Sequence, residues 1–170
     1  MPKLPYIKLL FIAVIILSVV SISAAVNLNS QTHLTGDEEV PVRVTNAQGQ
    51  ALFQLSEDGT QLSYKLMVAN IENVVQAHIH LGQPGANGNP VVFLYGLVPA
   101  GGGPTNGVLA EGTITSANLI NDLAGQPLSA LVAEMQAGNT YVNVHTNDGV
   151  GDTNTGPGDF PGGEIRGQID

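Results

Sequence analysis

The 170-residue chain has no cysteine, and only five Lys and Arg residues stand against fourteen Asp and Glu. Without cysteine there is no disulfide framework, so the fold must rest on core burial or on bound ions. The same absence removes a thiolate nucleophile and a blue-copper centre, both of which need a Cys sulfur. The scarcity of basic residues excludes general nucleic-acid binding, which requires clustered Lys and Arg to displace counterions. It also disfavours adhesion to anionic lipid. No Gly-X-Ser-X-Gly elbow occurs, and no motif ties a serine to a His and an Asp, so a hydrolytic triad has no support. The sequence carries no internal repeat and no interdomain linker, and no Asn-X-Ser/Thr acceptor after residue 25.

What is present begins at the N-terminus. Lys3 and Lys8 precede an apolar run from Leu9 to Val20 broken only by Ser18, followed by small residues at Ser21, Ser23, Ala24 and Ala25. A basic start, a short apolar stretch and a small-residue site predict a secretory signal peptide over residues 1–25. The rival is an uncleaved anchor, because the apolar stretch to Val26 approaches the ~18–20 residues of a spanning helix. On either reading residues 26–170 form a single domain outside the cytoplasm, secreted or at the cell surface. A membrane is a partner only if the segment stays uncleaved. This domain keeps Arg43, Lys65 and Arg166 against all the acidic residues, which gives it an acidic, exported surface.

Short alternating apolar runs separated by Gly, Pro and Asn predict an all-β antiparallel sandwich. Residues 61–70 alternate most regularly: Leu62, Tyr64, Leu66 and Val68 share one face, and Ser63, Lys65, Met67 and Ala69 the other. Asp58-Gly59 is a hairpin signal joining that strand to residues 50–55. Further strands are expected at residues 32–35, 75–81, 91–95, 108–115, 140–146 and 164–169, eight in all, as a two-sheet sandwich needs. Between them, Leu128, Leu131, Val132 and Met135 recur at helical spacing with Gly138 behind them, which predicts one short helix over residues 128–136. Residues 99–106 and 147–162 read as loops.

The chemistry lies on strand parity. In residues 75–81 the odd positions Val75, Ala77, Ile79 and Leu81 are apolar, so His78 and His80 share the other face, ~6.5–7 Å apart at Cα. In residues 140–146, Val142 and Val144 point to the core and Tyr141, Asn143 and His145 point away. In residues 164–169, Ile165 and Ile169 point inward, and Glu164, Arg166 and Gln168 outward. If these strands are neighbours, one outer sheet face gathers three imidazoles, with Asn143, Glu164 and Arg166 as polar support. A His-X-His pair plus a third His can build a copper or zinc site with one open position. An ordinary set of exposed polar residues, with Glu164 and Arg166 as a surface ion pair, is the competing reading.

The ordered motifs Leu34-Thr35-Gly36 with Glu39-Val40-Pro41, Ala77-His78-Ile79-His80-Leu81-Gly82 with Gly85-Ala86-Asn87-Gly88, Gly112-Thr113-Ile114-Thr115, Tyr141-Val142-Asn143-Val144-His145-Thr146 and Gly163-Glu164-Ile165-Arg166-Gly167-Gln168 resemble the CHRD (chordin) domain, over about residues 31–169. The resemblance implies an extracellular immunoglobulin-like or superoxide-dismutase-like β-sandwich and says little about activity. A weaker similarity links His78, His80 and His145, in order, to the copper ligands of copper–zinc superoxide dismutases. The disulfide, the bridging histidine and the zinc-loop ligands of those enzymes have no counterpart here. The link from the His145 strand to Gly163 is longer than is usual in the family. Its Asp148, Asp152, Asn154 and Asp159 resemble part of a calcium loop but lack the terminal bidentate Glu. His33 stands outside the motifs, as a lone exposed histidine or a fourth ligand.

Three functions follow as expectations. The first is an exported, non-enzymatic binding or structural module whose partner is an extracellular ligand or surface component. The second is a copper- or zinc-binding protein using His78, His80 and His145 for storage, delivery or redox chemistry. The third is a calcium-stabilised surface domain.

Overall fold

The computed structural model describes Met1 and residues 28–169, so the expected signal peptide or anchor at residues 1–25 lies almost wholly outside the described residues. Eight strands form: β1 (Asn29–Thr35), β2 (Gln48–Leu55), β3 (Leu62–Glu72), β4 (Val74–Leu81), β5 (Pro90–Gly96), β6 (Pro104–Ile114), β7 (Thr140–Thr146) and β8 (Ile165–Ile169). They make one sheet in the order β5-β4-β7-β8-β1-β2-β3-β6, and every pairing is antiparallel. The sheet curls until its two edge strands approach, and Tyr64 on β3 donates its hydroxyl to the Leu94 carbonyl on β5 at 2.8 Å. The all-β, sandwich-like fold therefore arises from one nearly closed sheet rather than from two separate ones.

Alternation builds the core. Leu34, Ala51, Phe53, Leu62, Leu66, Ala77, Ile79, Val142, Val144, Ile165 and Ile169 all point inside and are buried in one cluster. At ~25 cal/mol per Å² of apolar surface removed from water, these apolar side chains supply the main stabilising term in a chain with no disulfide. The 56–61 turn forms as the Asp-Gly signal predicts. Ser56 N–H donates to the Gln61 carbonyl at 2.8 Å, Gly59 takes φ +70°, and the Asp58 carboxylate accepts from Ser56 Oγ and Thr60 N.

The helix α1 spans Leu128–Gln136 and buries Leu128, Leu131, Val132 and Met135. It begins only after Pro127, and two short 3-10 turns precede it at Ser116–Asn118 and Asn121–Leu123. Gly138, at φ +67°, ends it. One expectation needs correction: residues 104–106 belong to a strand, not to a loop. β3 continues past a bulge to Glu72, where Pro104 is its partner, and Asn70 N–H is capped by Asn106 Oδ1 at 2.8 Å. No helix among the described residues is long and apolar enough to cross a membrane.

Candidate metal centre

The three histidines meet because β4 and β7 are neighbours. In their register His78 faces Asn143, His80 faces Tyr141, and Gln76 faces His145, which places His145 diagonally beside His78. Ala77, Ile79, Val142 and Val144 fill the core on one side, so parity sends His78, His80, Asn143 and His145 to the other. That assignment of faces holds. The solvent exposure assumed for this face does not, since His78, His80, His145, Asn143, Glu164 and Arg166 are all buried. Loops roof the outer side of the sheet there, and a parity argument sees faces but not roofs.

The roof is fastened to the rings. His80 Nδ1 lies 2.9 Å from the Gly88 carbonyl, and His145 Nδ1 lies 2.8 Å from the Pro161 carbonyl. A carbonyl can only accept, so both rings carry their hydrogen on Nδ1 and present a bare lone pair on Nε2. His78 Nδ1 is 3.1 Å from His145 Nε2, and must therefore be the donor of that contact. His78 Nε2 and His80 Nε2 are buried and have no hydrogen-bond partner. One ligand nitrogen from each ring lies within 4.8 Å of the others.

The surroundings keep the rings neutral. Burial, with His145 and then His80 nearby, lowers His78 from 6.5 to about 3. Burial lowers His145 to about 4, against the opposing pull of its bond to Pro161. Burial also lowers His80, partly offset by Gly88. All three are thus neutral imidazoles at neutral pH, the form that ligates metals.

Packing fixes their orientation. Tyr141 stacks on His80 with 15° between the planes and 4.8 Å between centroids, and the Arg166 guanidinium lies over the Tyr141 ring, its Cζ 3.5 Å from the centroid. The Tyr141 hydroxyl accepts from Gly88 N–H at 3.2 Å, so it also holds the residue whose carbonyl orients His80. Phe93, half exposed on the edge strand β5, packs edge-on against His78 at 4.4 Å.

Arg166 donates to Asn87 Oδ1, the Gln83 carbonyl and Gln168 Oε1. Glu164 is turned elsewhere: it accepts from Thr45 Oγ1 at 2.6 Å, Thr146 Oγ1 at 2.7 Å and Gly158 N at 2.9 Å. The simple Glu164–Arg166 surface pair is therefore replaced by two buried networks, each holding a different loop to the sheet.

Glu39 is the residue that reasoning from the sequence missed. It lies beyond β1 and is buried, which raises its carboxyl from 4.5 to about 7 against the opposing effects of Arg166, Arg43 and Asn143. The signal was its place in Glu39-Val40-Pro41, one of the ordered motifs, but no parity rule reaches a residue in a loop.

The remaining candidates stay apart from the centre. His33 is exposed on β1 and is not among the grouped ligands. In the 147–162 loop, Asp148 Oδ1 accepts from Val150 N, and Asp159 Oδ2 accepts from Thr155 N and Oγ1. Asp152 and Asn154 are exposed. Among the described residues His78, His80 and His145 form the one group of three or more metal-donor side chains.

The profile of the CHRD domain matches residues 30–169, nearly every described residue. The chain belongs to the CHRD family. This CHRD domain has no match among curated proteins or solved structures. The family membership accounts for the ordered motifs and leaves the chemistry to be read from the site. Copper and zinc both suit imidazole nitrogen. Two of the three rings already donate their second nitrogen to a backbone carbonyl, as metal-bound histidines nearly always do. The donor chemistry therefore fits the group.

Proposed function

We propose that this CHRD domain is a non-enzymatic metal-binding module that acts outside the cytoplasm and holds one copper or zinc ion on His78, His80 and His145. The observation that carries the reading is the convergence of three buried, neutral imidazoles, each bringing one ring nitrogen within 4.8 Å of the others. Buried polar groups are almost always satisfied, and here two ring nitrogens are not. A cation takes up the His80 Nε2 lone pair and replaces the proton that His78 Nδ1 shares with His145 Nε2.

The spacing supports the same reading. Two donors on a tetrahedral ion with metal–nitrogen bonds of 2.0–2.1 Å sit about 3.3 Å apart. The 3.1 Å between His78 Nδ1 and His145 Nε2 is already close to that. The widest spacing in the set, no more than 4.8 Å, closes by about 1.5 Å on loading. By the Irving–Williams order copper(II) binds such a set more tightly than zinc. The basic, apolar and small-residue series before residue 26 supports export, and the absence of a nucleophile–base set supports a binding role over a catalytic one.

The test is thermal unfolding of the purified protein with zinc, with copper(II) and with a chelator, alongside His80→Ala and His145→Ala. The metals should raise the melting temperature of the parent, the chelator should reverse the gain, and both variants should lose it. A parent protein indifferent to both metals removes the proposal.

A further inference from the structure

We infer that Asn143 supplies the fourth donor of the site through its Oδ1, with Glu39 as the positioning residue that fixes the amide's orientation. The inference rests on the three-histidine reading and deepens it, since an N3O donor set favours zinc or copper(II) over copper(I), whose preference is for softer ligands.

Placement comes first. Asn143 is the cross-strand partner of His78 on one side and of Arg166 on the other. It is buried, on the same face of β7 as His145. Its amide has two distinct ends, and the structure separates them. A Cβ built on Gly163 would lie 2.6 Å from Asn143 Nδ2 and 2.5 Å from Glu39 Oε1. The two side chains thus meet in the space that glycine leaves, with the N–H end turned to the carboxyl group. The Asn143 amide N–H donates a hydrogen bond to the Glu39 carboxyl group.

The oxygen end is then turned away from Glu39. On that face the neighbours of Asn143 are His78, its cross-strand partner, and His145, two residues along β7. His80 already spends its one hydrogen on Gly88. What remains is an amide oxygen and a ring nitrogen, Asn143 Oδ1 and His80 Nε2, both buried and both without a hydrogen-bond partner. Bare acceptors buried on one face of the sheet are unfavourable unless something positive lies within their reach. The same ion that takes the three ring nitrogens takes this oxygen.

Glu39 holds the amide in that sense. It is faced by Arg166 from β8, by Arg43 from the segment that follows it, and by Asn143 from β7. A carboxyl oxygen beside Nδ2 makes the flipped amide, with oxygen against oxygen, the unfavourable one.

The experiment pairs zinc affinity, read by competition with a chromophoric chelator, with the frozen-solution copper(II) EPR spectrum. Asn143→Leu should weaken zinc about 10–100-fold, the scale typical of groups supporting a metal site, and shift the copper parallel hyperfine coupling. Glu39→Leu should move both readouts in the same direction. Glu39→Gln, which keeps an oxygen acceptor for Nδ2, should restore the parental spectrum, an outcome that a purely structural role for Glu39 would not produce. If Asn143→Leu fails to fold, the contrast between Glu39→Leu and Glu39→Gln reads the same geometry. Zinc affinity within twofold of the parent and an unchanged copper spectrum in Asn143→Leu overturn the fourth ligand while the three-histidine site stands. A parent protein that binds neither metal overturns both.

Discussion

His78 Nδ1 and His145 Nε2 lie 3.1 Å apart across two neighbouring antiparallel strands. Because His145 gives its own hydrogen to Pro161, the shared proton belongs to His78, and metal loading must replace it. His145→Ala therefore leaves a buried donor on His78 without an acceptor. The metal-free variant should be less stable by about 1–3 kcal/mol, measured by urea unfolding in chelator. Adding zinc at 100 times the dissociation constant should stabilise the parent by about 2.7 kcal/mol and the variant hardly at all.

The metal-free protein should lose stability in mild acid. His78 and His145 fall to about 3 and 4 in the folded chain and His80 is lowered as well, while in the unfolded chain all three return to about 6.5. The unfolded state then binds more protons, so their contribution is complete above pH 6.5 and is lost as pH falls toward the folded values. Each fully differing histidine adds a slope of up to about 1.4 kcal/mol per pH unit in that window. Glu39, raised to about 7, acts with the opposite sign: its contribution is present below 4.5 and is lost as pH rises through 7. Three histidines outweigh one carboxyl, so urea midpoints measured from pH 4.5 to 6.5 should rise. A flat or falling series would contradict the buried, neutral rings.

Gly163→Ala should be costly. Gly163 adopts φ +125°, a region side chains avoid, and its added methyl would press on Glu39 and Asn143. A loss of about 1–3 kcal/mol in urea unfolding is expected from the backbone alone. Gly102→Ala, at a position with open space around it, serves as the control and should change stability by less than about 1 kcal/mol.

Glu164 ties three segments together through Thr45, Thr146 and Gly158. Glu164→Leu strands those donors and should destabilise the metal-free protein by about 3 kcal/mol or more. Because the carboxylate is not a ligand of the centre, the variant that remains folded should keep zinc affinity within a few-fold of the parent, read by chelator competition.

The strands and the helix α1 were legible in the sequence because each has a period, two for the strands and 3.6 for Leu128 to Met135. The three-histidine cluster was legible for the same reason: His78, His80 and His145 occupy off-core parities on strands that the CHRD motifs place in order. What sits above them was not. The Gly88 and Pro161 carbonyls reach the rings from irregular loops, where no period says which backbone atom will point where. Glu39 comes from another such loop, about a hundred residues before its partner Asn143, and only the close approach above Gly163 brings the two together. Burial of the polar face follows from those same loops, which is why it emerged only with the tertiary structure.

The most direct test of the metal centre is native mass spectrometry of the protein after addition of one equivalent of zinc or copper(II) and removal of the excess. The parent should retain one ion per chain, and the combined His78→Ala, His80→Ala and His145→Ala variant should retain none. A parent that carries no ion, or a triple variant that carries one as readily, would contradict the three-histidine centre.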